Sequence, residues 1–500
     1  MRACALLTAI AISFVFALGQ TSSSNVGSQD ELARIIGYSI LRGGASDFLE
    51  NLTDRIGGRI TGTAECRQTA ELILNTLKVA GFDNAHFESY EIYPGWTHGP
   101  ATAEVIAPVH RDLTIGSYGW APGTNGAIEV PIEDIGAMDG HSPLPGSVRG
   151  AAVIVTLPSS MTSTLYVGTR MLLAQQLAKA GAAAMFIVSD KPDRMLYTSA
   201  FLIYPRGPLP IISIPNEDAS LLRRLLQRGP VKIRLNVENS FSNGPVPERN
   251  VVADLPGKEP GEMVLLTAHF DSWDAAQGAN DNGGEVATIL EAARVLKLLK
   301  VQPKHTIRFV FFSGEEQSDL GSRAYVQQHK LELDEVRAVI NTDSGIEAPL
   351  GLKLYGRKDL EPATHKLLEP LAALAANQIF TDADFDSDEE SFMVVGVPTF
   401  SLVVEPADYH VRHHTAVDTF ERIDKRMLAV DTAVLAAVGY TFANSDERPG
   451  SDSALLRSGN CCGRQTWNRS TSWTIQAKSR TDAWSAMLLR CGRNSNGSLS

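Results

Sequence analysis

Eight acidic and imidazole side chains in the second half of the chain could do chemistry together. They are His269 and Asp271 in HFDS, Asp281 in GANDNGG, Glu315 and Glu316 in SGEE, Asp343 in NTDSG, and His413 and His414 in RHHT. Each alone has an ordinary structural explanation. A single His at a strand end usually makes a local hydrogen bond. Asp281 could cap the helix that follows it, the Glu pair could form the acidic first turn of a helix, and Asp343 could sit in a turn before Gly345. As a set they are harder to explain that way, because clustered carboxylates and imidazoles repel or desolvate one another without a cation. Nitrogen and oxygen donors without thiolate suit Zn²⁺, and less exclusively Mn²⁺ or Co²⁺. Five ligands exceed one tetrahedral zinc with an open position but serve two metals if a carboxylate bridges. Of the adjacent Glu315 and Glu316, one can ligate while the other takes a proton from attacking water.

These groups need strand ends to hold them. MVLLTAHFDS, TIRFVFFSGEE, AVINTDSG and PTFSLVV read as buried strands, and amphipathic helices run through NGGEVATILEAARVLKLLK and LGSRAYVQQHK. Strands alternating with helices predict an α/β fold with a mostly parallel sheet covered on both faces. Functional residues in such sheets gather beyond the strands' carboxyl ends, where each polar cluster falls. Upstream, residues 30–92 read as helices with apolar Leu32, Ile35, Ile36 and Ile40, and Ala70, Leu72, Ile73, Leu77 and Val79 at helical spacing, then a strand in HFESYEIY. Between about 115 and 245 the texture changes to short strands (AAVIV, AAMFIVS, LPIISI, VKIRLNV) with one or two helices and little that could do chemistry. The expected division is a catalytic part at 30–115, a β-rich insert at 116–246, and a second catalytic part at 247–446. From 447 to 500, Ser, Arg, Asn and Gly dominate without core-forming periodicity, which predicts a disordered tail.

The chain has 500 residues, 44% hydrophobic and 20% charged, which excludes a disordered or collagenous protein. A net charge of −12 argues against a nucleic-acid partner. Arg2 followed by the apolar run Ala3–Leu18, with small Ala17 and Gly19, reads as a signal peptide over 1–19 cut before Gln20. No later segment reads as a membrane span, so a secreted protein is expected, in the extracellular space or a secretory or lysosomal lumen. Cys66 stands alone in the body, no Cys-x-x-Cys occurs, and Cys461, Cys462 and Cys491 lie in the tail. Asn51-Leu52-Thr53, Asn468-Arg469-Ser470 and Asn496-Gly497-Ser498 are formal glycosylation sequons.

HFDSWDAAQGANDNGG, FFSGEEQSDLGS, NTDSG and HHTAVDT resemble the motif series of the co-catalytic zinc aminopeptidase and carboxypeptidase family. The resemblance covers residues 30–446 and implies a three-layer sandwich of the zinc exopeptidase type, with a protease-associated domain as the insert. It implies two Zn²⁺ per chain, with Asp281 bridging, His269 and Asp343 on one metal, and Glu316 and His414 on the other. Glu315 matches the general base acting on metal-activated water, and Asp271 the acid that fixes the imidazole of His269. A cis peptide would follow Asp281. Many members carry Tyr where this chain has His413, which makes His413 a candidate oxyanion donor. Asp388 and Ser391, in the acidic FDSDEESF segment, are pocket-lining candidates, with a solvated loop as the alternative reading.

The implied activity is a metallo-exopeptidase acting on short peptides, dipeptides with free termini foremost, and the resemblance allows a homodimer. A zinc aminopeptidase of broader specificity is the alternative. A non-catalytic peptidase-like ectodomain would lack metal ligands, and all five positions and the base are present. A one-zinc glutaminyl cyclase would lack the insert.

Overall fold

The computed structural model describes residues 29–158, 163–200, 206–383 and 387–450. The signal peptide, the two later sequons and the three tail cysteines lie outside these residues.

The main sheet has eight strands: β1 (His86–Ile92), β2 (Val246–Leu255), β3 (Met263–His269), β4 (Thr306–Phe312), β5 (Val336–Asn341), β6 (Pro349–Lys353), β7 (Gln378–Phe380) and β8 (Thr399–Val404). Their order is β1-β2-β4-β3-β5-β8-β6-β7. The central β4, β3, β5 and β8 run parallel, whereas β1, β2 and β6 each meet a neighbour antiparallel. All seven residues of β3 are buried, as expected of a strand covered on both faces. Val264, Leu266 and Ala268 face one apolar layer with helices Gly284–Leu298 and Lys425–Asn444. Met263 and Leu265 face another, with Tyr325, Val326 and Phe392. These layers make the α/β sandwich.

Register fixes the site. In the β3–β4 ladder His269 is level with Phe312, and in the β3–β5 ladder Thr267 is level with Asn341. The residues following each strand therefore leave the sheet along one carboxyl edge.

A second eight-stranded sheet takes all its strands from residues 101–237, with helices Ser163–Ala180 and Asn216–Leu226 on its two faces. The four strand-like runs of the insert are strands Ala152–Thr156, Ala184–Ser189, Ile211–Pro215 and Lys232–Val237. Ala101–Ala107 pairs with Lys232–Val237, and Arg111–Leu113 pairs with Ala101–Ala107. The boundary read at 115/116 thus falls inside this sheet, because composition changes later than hydrogen bonding does.

Two further readings change. Helix Lys425–Asn444 is long and apolar enough to cross a membrane by length and composition, with mean hydropathy 1.3 over its window. Its apolar residues are core: Val434, Leu435, Ala436 and Val438 are at most 1% exposed against the sheet and helix Gly284–Leu298. The tail boundary also moves. Arg448 Nη2 donates to the carbonyls of Asp334 (2.7 Å) and Val336 (2.8 Å), and Arg337 Nη2 donates to those of Ser445 (3.0 Å) and Glu447 (2.8 Å). A chain ended at Gly450 is expected to keep its Tm and activity, since residues 451–500 carry no apolar periodicity from which to build a core. Ending at Asn444 removes those bonds and is expected to lower Tm, as scanning calorimetry on both truncations would reveal.

The Asn51 sequon lies within helix Ala45–Arg55, with Thr53 4% exposed and its hydroxyl bonded to the Leu49 carbonyl at 2.9 Å.

Candidate metal centre

The chain turns that leave the carboxyl edge bring the sequence-derived residues together. His269 ends β3, and its Nε2 lies 3.3 Å from Asp343 Oδ1, 3.4 Å from Asp281 Oδ1 and 3.8 Å from Glu315 Oε2. The other oxygen of Asp281, Oδ2, lies 3.2 Å from His414 Nε2 and 3.8 Å from His413 Nε2. His414 Nε2 is also 3.0 Å from Glu316 Oε2. Asp281 therefore stands between two donor groups, one oxygen toward each. Its carboxylate does not cap the following helix, whose N-terminus has no side-chain cap. The Asp281–Asn282 peptide is cis.

The electrostatics are those of a site built around positive charge. Burial alone would keep His269 and His414 neutral, yet the carboxylates around them push both rings well above the ordinary imidazole value. Burial pushes Glu315 well up, reinforced by Asp343 and Glu316, and it raises Glu316 to about 7. Glu316 Oε1 and His414 Nδ1 are buried without a hydrogen-bond partner. Several carboxylates crowd two imidazoles here, which leaves the site with an excess of buried negative charge. Divalent cations would compensate it, and the all-N/O donor set fits zinc. His413 differs. Burial and the adjacent His414 hold its ring well below the usual value, so it is a neutral N–H donor at neutral pH.

Asp271 lies behind His269 and also braces the Glu pair. His269 Nδ1 lies closest to the Asp271 backbone carbonyl, at 3.1 Å, with the carboxylate Oδ1 farther at 3.5 Å. That carboxylate also accepts the amides of Glu315 and Glu316, each at 3.3 Å, and the Thr61 hydroxyl at 2.6 Å. It fixes the backbone of the Glu pair.

Three supporting groups were given no individual role by the sequence, although Asp418 and Gly278 stand inside the motifs. Asp418, within the quoted HHTAVDT, accepts the amides of Asn280 (2.6 Å) and Asp281 (3.2 Å), and burial beside Asp281 raises its carboxyl to about 7. Arg59, fully buried, donates to the carbonyls of Phe270, Gly57, Gln277 and Gly278 at 2.7–2.9 Å and ties the turn after β3 together. Gly278 adopts φ +60° in that turn, and a Cβ there would lie 2.3 Å from Ser272 Oγ and 2.9 Å from Arg59 Nη2. Gly278→Ala is expected to destabilise by about 1–3 kcal/mol through overpacking and backbone strain. An unchanged Tm would contradict this account.

A family model described as Peptidase family M28 matches residues 250–438, the span that carries all eight residues. Carboxypeptidase Q of Bos taurus is 30% identical over 408 residues, covering 79% of this chain and 84% of that protein. The chain belongs to peptidase family M28. A crystal structure of a peptidase M28 precursor from Shewanella amazonensis superposes with TM-score 0.76 at 26% identity, over 84% of this chain and 98% of that one. A zinc aminopeptidase from Bacillus subtilis shares the fold, with TM-score 0.63 at 23% identity over 79% and 93% of the two chains. The resemblance seen in the motifs thus extends to the fold.

Beside this M28 site a cavity of about 170 Å³ opens along Asp343, with Lys353, Tyr355, Phe380 and Glu389 in its walls. Asp388 and Ser391 do not line it. Asp388 is fully buried, and Ser391, 5% exposed, bonds the Ser322 hydroxyl at 2.9 Å. The acidic pattern suggested a loop or a wall, but the segment enters helix Glu389–Met393, which packs on the sheet.

Proposed function

We propose that this M28 peptidase is a secreted dinuclear zinc exopeptidase that hydrolyses short peptides, dipeptides with both termini free foremost. The observation that carries the reading is the position of Asp281, whose Oδ1 faces His269 and Asp343 while Oδ2 faces His414 and Glu316. His269 and Asp343 would hold one zinc, Glu316 and His414 the other, and Asp281 both. Bound there, zinc supplies Lewis acidity that polarises the scissile carbonyl and acidifies water.

The chain's own residues do the rest. Glu315, raised in basicity by burial, takes the proton from the attacking water and returns it to the leaving amine. Asp271 keeps Glu315 in place through its amide. His413, held neutral, offers an N–H to the oxygen that gains charge as the carbonyl is attacked. Secretion rests on the reading of residues 1–19, and the sheet of residues 101–237 is read as a protease-associated module narrowing the approach.

Two charged ends held at fixed separation limit substrate length, because an extended residue adds roughly 3.3–3.6 Å. The expected result is close to two equivalents of zinc by elemental analysis, and rapid cleavage of free dipeptides. N-acetylated or C-amidated dipeptides should be cleaved far more slowly, because blocking an end strands its buried partner group. Rapid cleavage of tetrapeptides or doubly blocked peptides would point instead to an aminopeptidase of broader specificity or an endopeptidase.

A further inference from the structure

Metal-ligating imidazoles are usually oriented by a hydrogen bond on the nitrogen that faces away from the metal. His269 has one, from Nδ1 to the Asp271 carbonyl. His414 does not: its Nδ1 is buried without a partner, and its backbone sits at φ +60°, unusual for a residue with a side chain. Something else must hold this ring.

Three rings lie against it: His413, stacked with centroids 3.8 Å apart, Trp273, edge-on at 6.1 Å, and one brought by the second sheet. The segment after strand Ala184–Ser189 carries Tyr197, whose ring stacks on the His414 imidazole with centroids 5.4 Å apart and planes at 27°. The next residue, Thr198, donates its amide to the His414 carbonyl at 3.0 Å. Lys191 donates its ammonium to the His410 carbonyl, four residues before His414, and the same ammonium lies 5.1 Å from the centre of the Tyr197 ring. The segment is itself anchored in its sheet. Tyr197 N donates to Ser213 Oγ at 3.2 Å, and the Ser199 carbonyl accepts from Gly119 N at 2.9 Å.

We infer that the second sheet is a structural part of the metal centre, with Tyr197 as the positioning residue for His414 and Lys191 as the pin that holds the loop carrying it. Its effect is on the geometry of one ligand, and so on the affinity of one of the two metal positions. This rests on the reading of His414 as a ligand.

The test is competitive Zn²⁺ titration of the metal-depleted full chain against a chromophoric chelator. Tyr197→Leu keeps bulk but removes the stacking plane, and it should weaken one equivalent about 10–100-fold, as loss of an orienting partner typically does. Tyr197→Phe should retain wild-type affinity at both positions, because the ring face and not the hydroxyl orients His414. Lys191→Met, which leaves the ring in place, should weaken the same equivalent, and it decides the matter if Tyr197→Leu does not fold. His414→Ala is the reference and should lose that equivalent. If Tyr197→Leu and Lys191→Met bind both equivalents normally while His414→Ala loses one, the inference falls and the two-metal reading stands. Loss of affinity in Tyr197→Phe would overturn the stacking account. Retention of both equivalents by His414→Ala would overturn the reading and the inference together.

Discussion

Glu315→Gln is expected to slow peptide hydrolysis about 10²–10⁴-fold, the usual cost of losing a general base. Gln has the same shape and cannot take a proton. Asp271 binds the backbone amide of residue 315, not its side chain, so the loop position should survive the substitution. Metal content and thermal unfolding should therefore match the wild type. Glu316→Gln should do the reverse and deplete one metal, because Glu316 faces His414 at 3.0 Å. The pair of measurements is kcat beside elemental analysis on both variants. Exchanged phenotypes would reassign the two roles.

Asp281→Asn is expected to have the larger effect. The amide keeps the volume of a fully enclosed side chain but loses the charge shared between both halves of the site. Neighbours on either side would then bind cations with one carboxylate fewer, so both equivalents should be depleted. Without the cations the site loses the Lewis acid that would polarise the carbonyl and acidify the water. Activity should fall below that of Glu315→Gln. A variant that keeps one tightly bound metal and substantial turnover would mean that Asp281 serves a single ion.

The parts of the site legible in the sequence are those whose chemistry needs particular side chains at the ends of strongly patterned strands. His269 follows MVLLTA, Glu315 and Glu316 follow FVFFSG, and Asp343 follows AVINT. Burial makes those strands apolar, and the first polar residues after them mark the edge. The roles of Arg59 and Asp418 were not legible, because their work is done on backbone amides and carbonyls, which leave no pattern in side-chain types. Asp271 was legible as a member of the site, but its bonds to two amides some 45 residues away were not. The sheet boundary near residue 101 was hidden for a related reason. Ala101–Ala107 alternates like any half-buried strand, and only its pairing with Lys232–Val237 and Arg111–Leu113 assigns it to the second sheet. Tyr197 lay in a stretch with no chemical signature of its own.

The pairing of β1 with β2 bears on how the chain assembles. Ile92, the last residue of β1, is the cross-strand partner of Val246, the first of β2. Everything between them leaves and re-enters the main sheet through two points that sit only a strand spacing apart, about 5 Å. For an unstructured segment of that length, bringing its ends together carries an entropy penalty that grows with the logarithm of its length. A segment that folds first presents its ends already adjacent, and the penalty is gone before the strands meet. The expected order of events is therefore that residues 101–237 collapse on their own during synthesis, while β1 waits as an unpaired edge. The main sheet can close only after β2 has emerged.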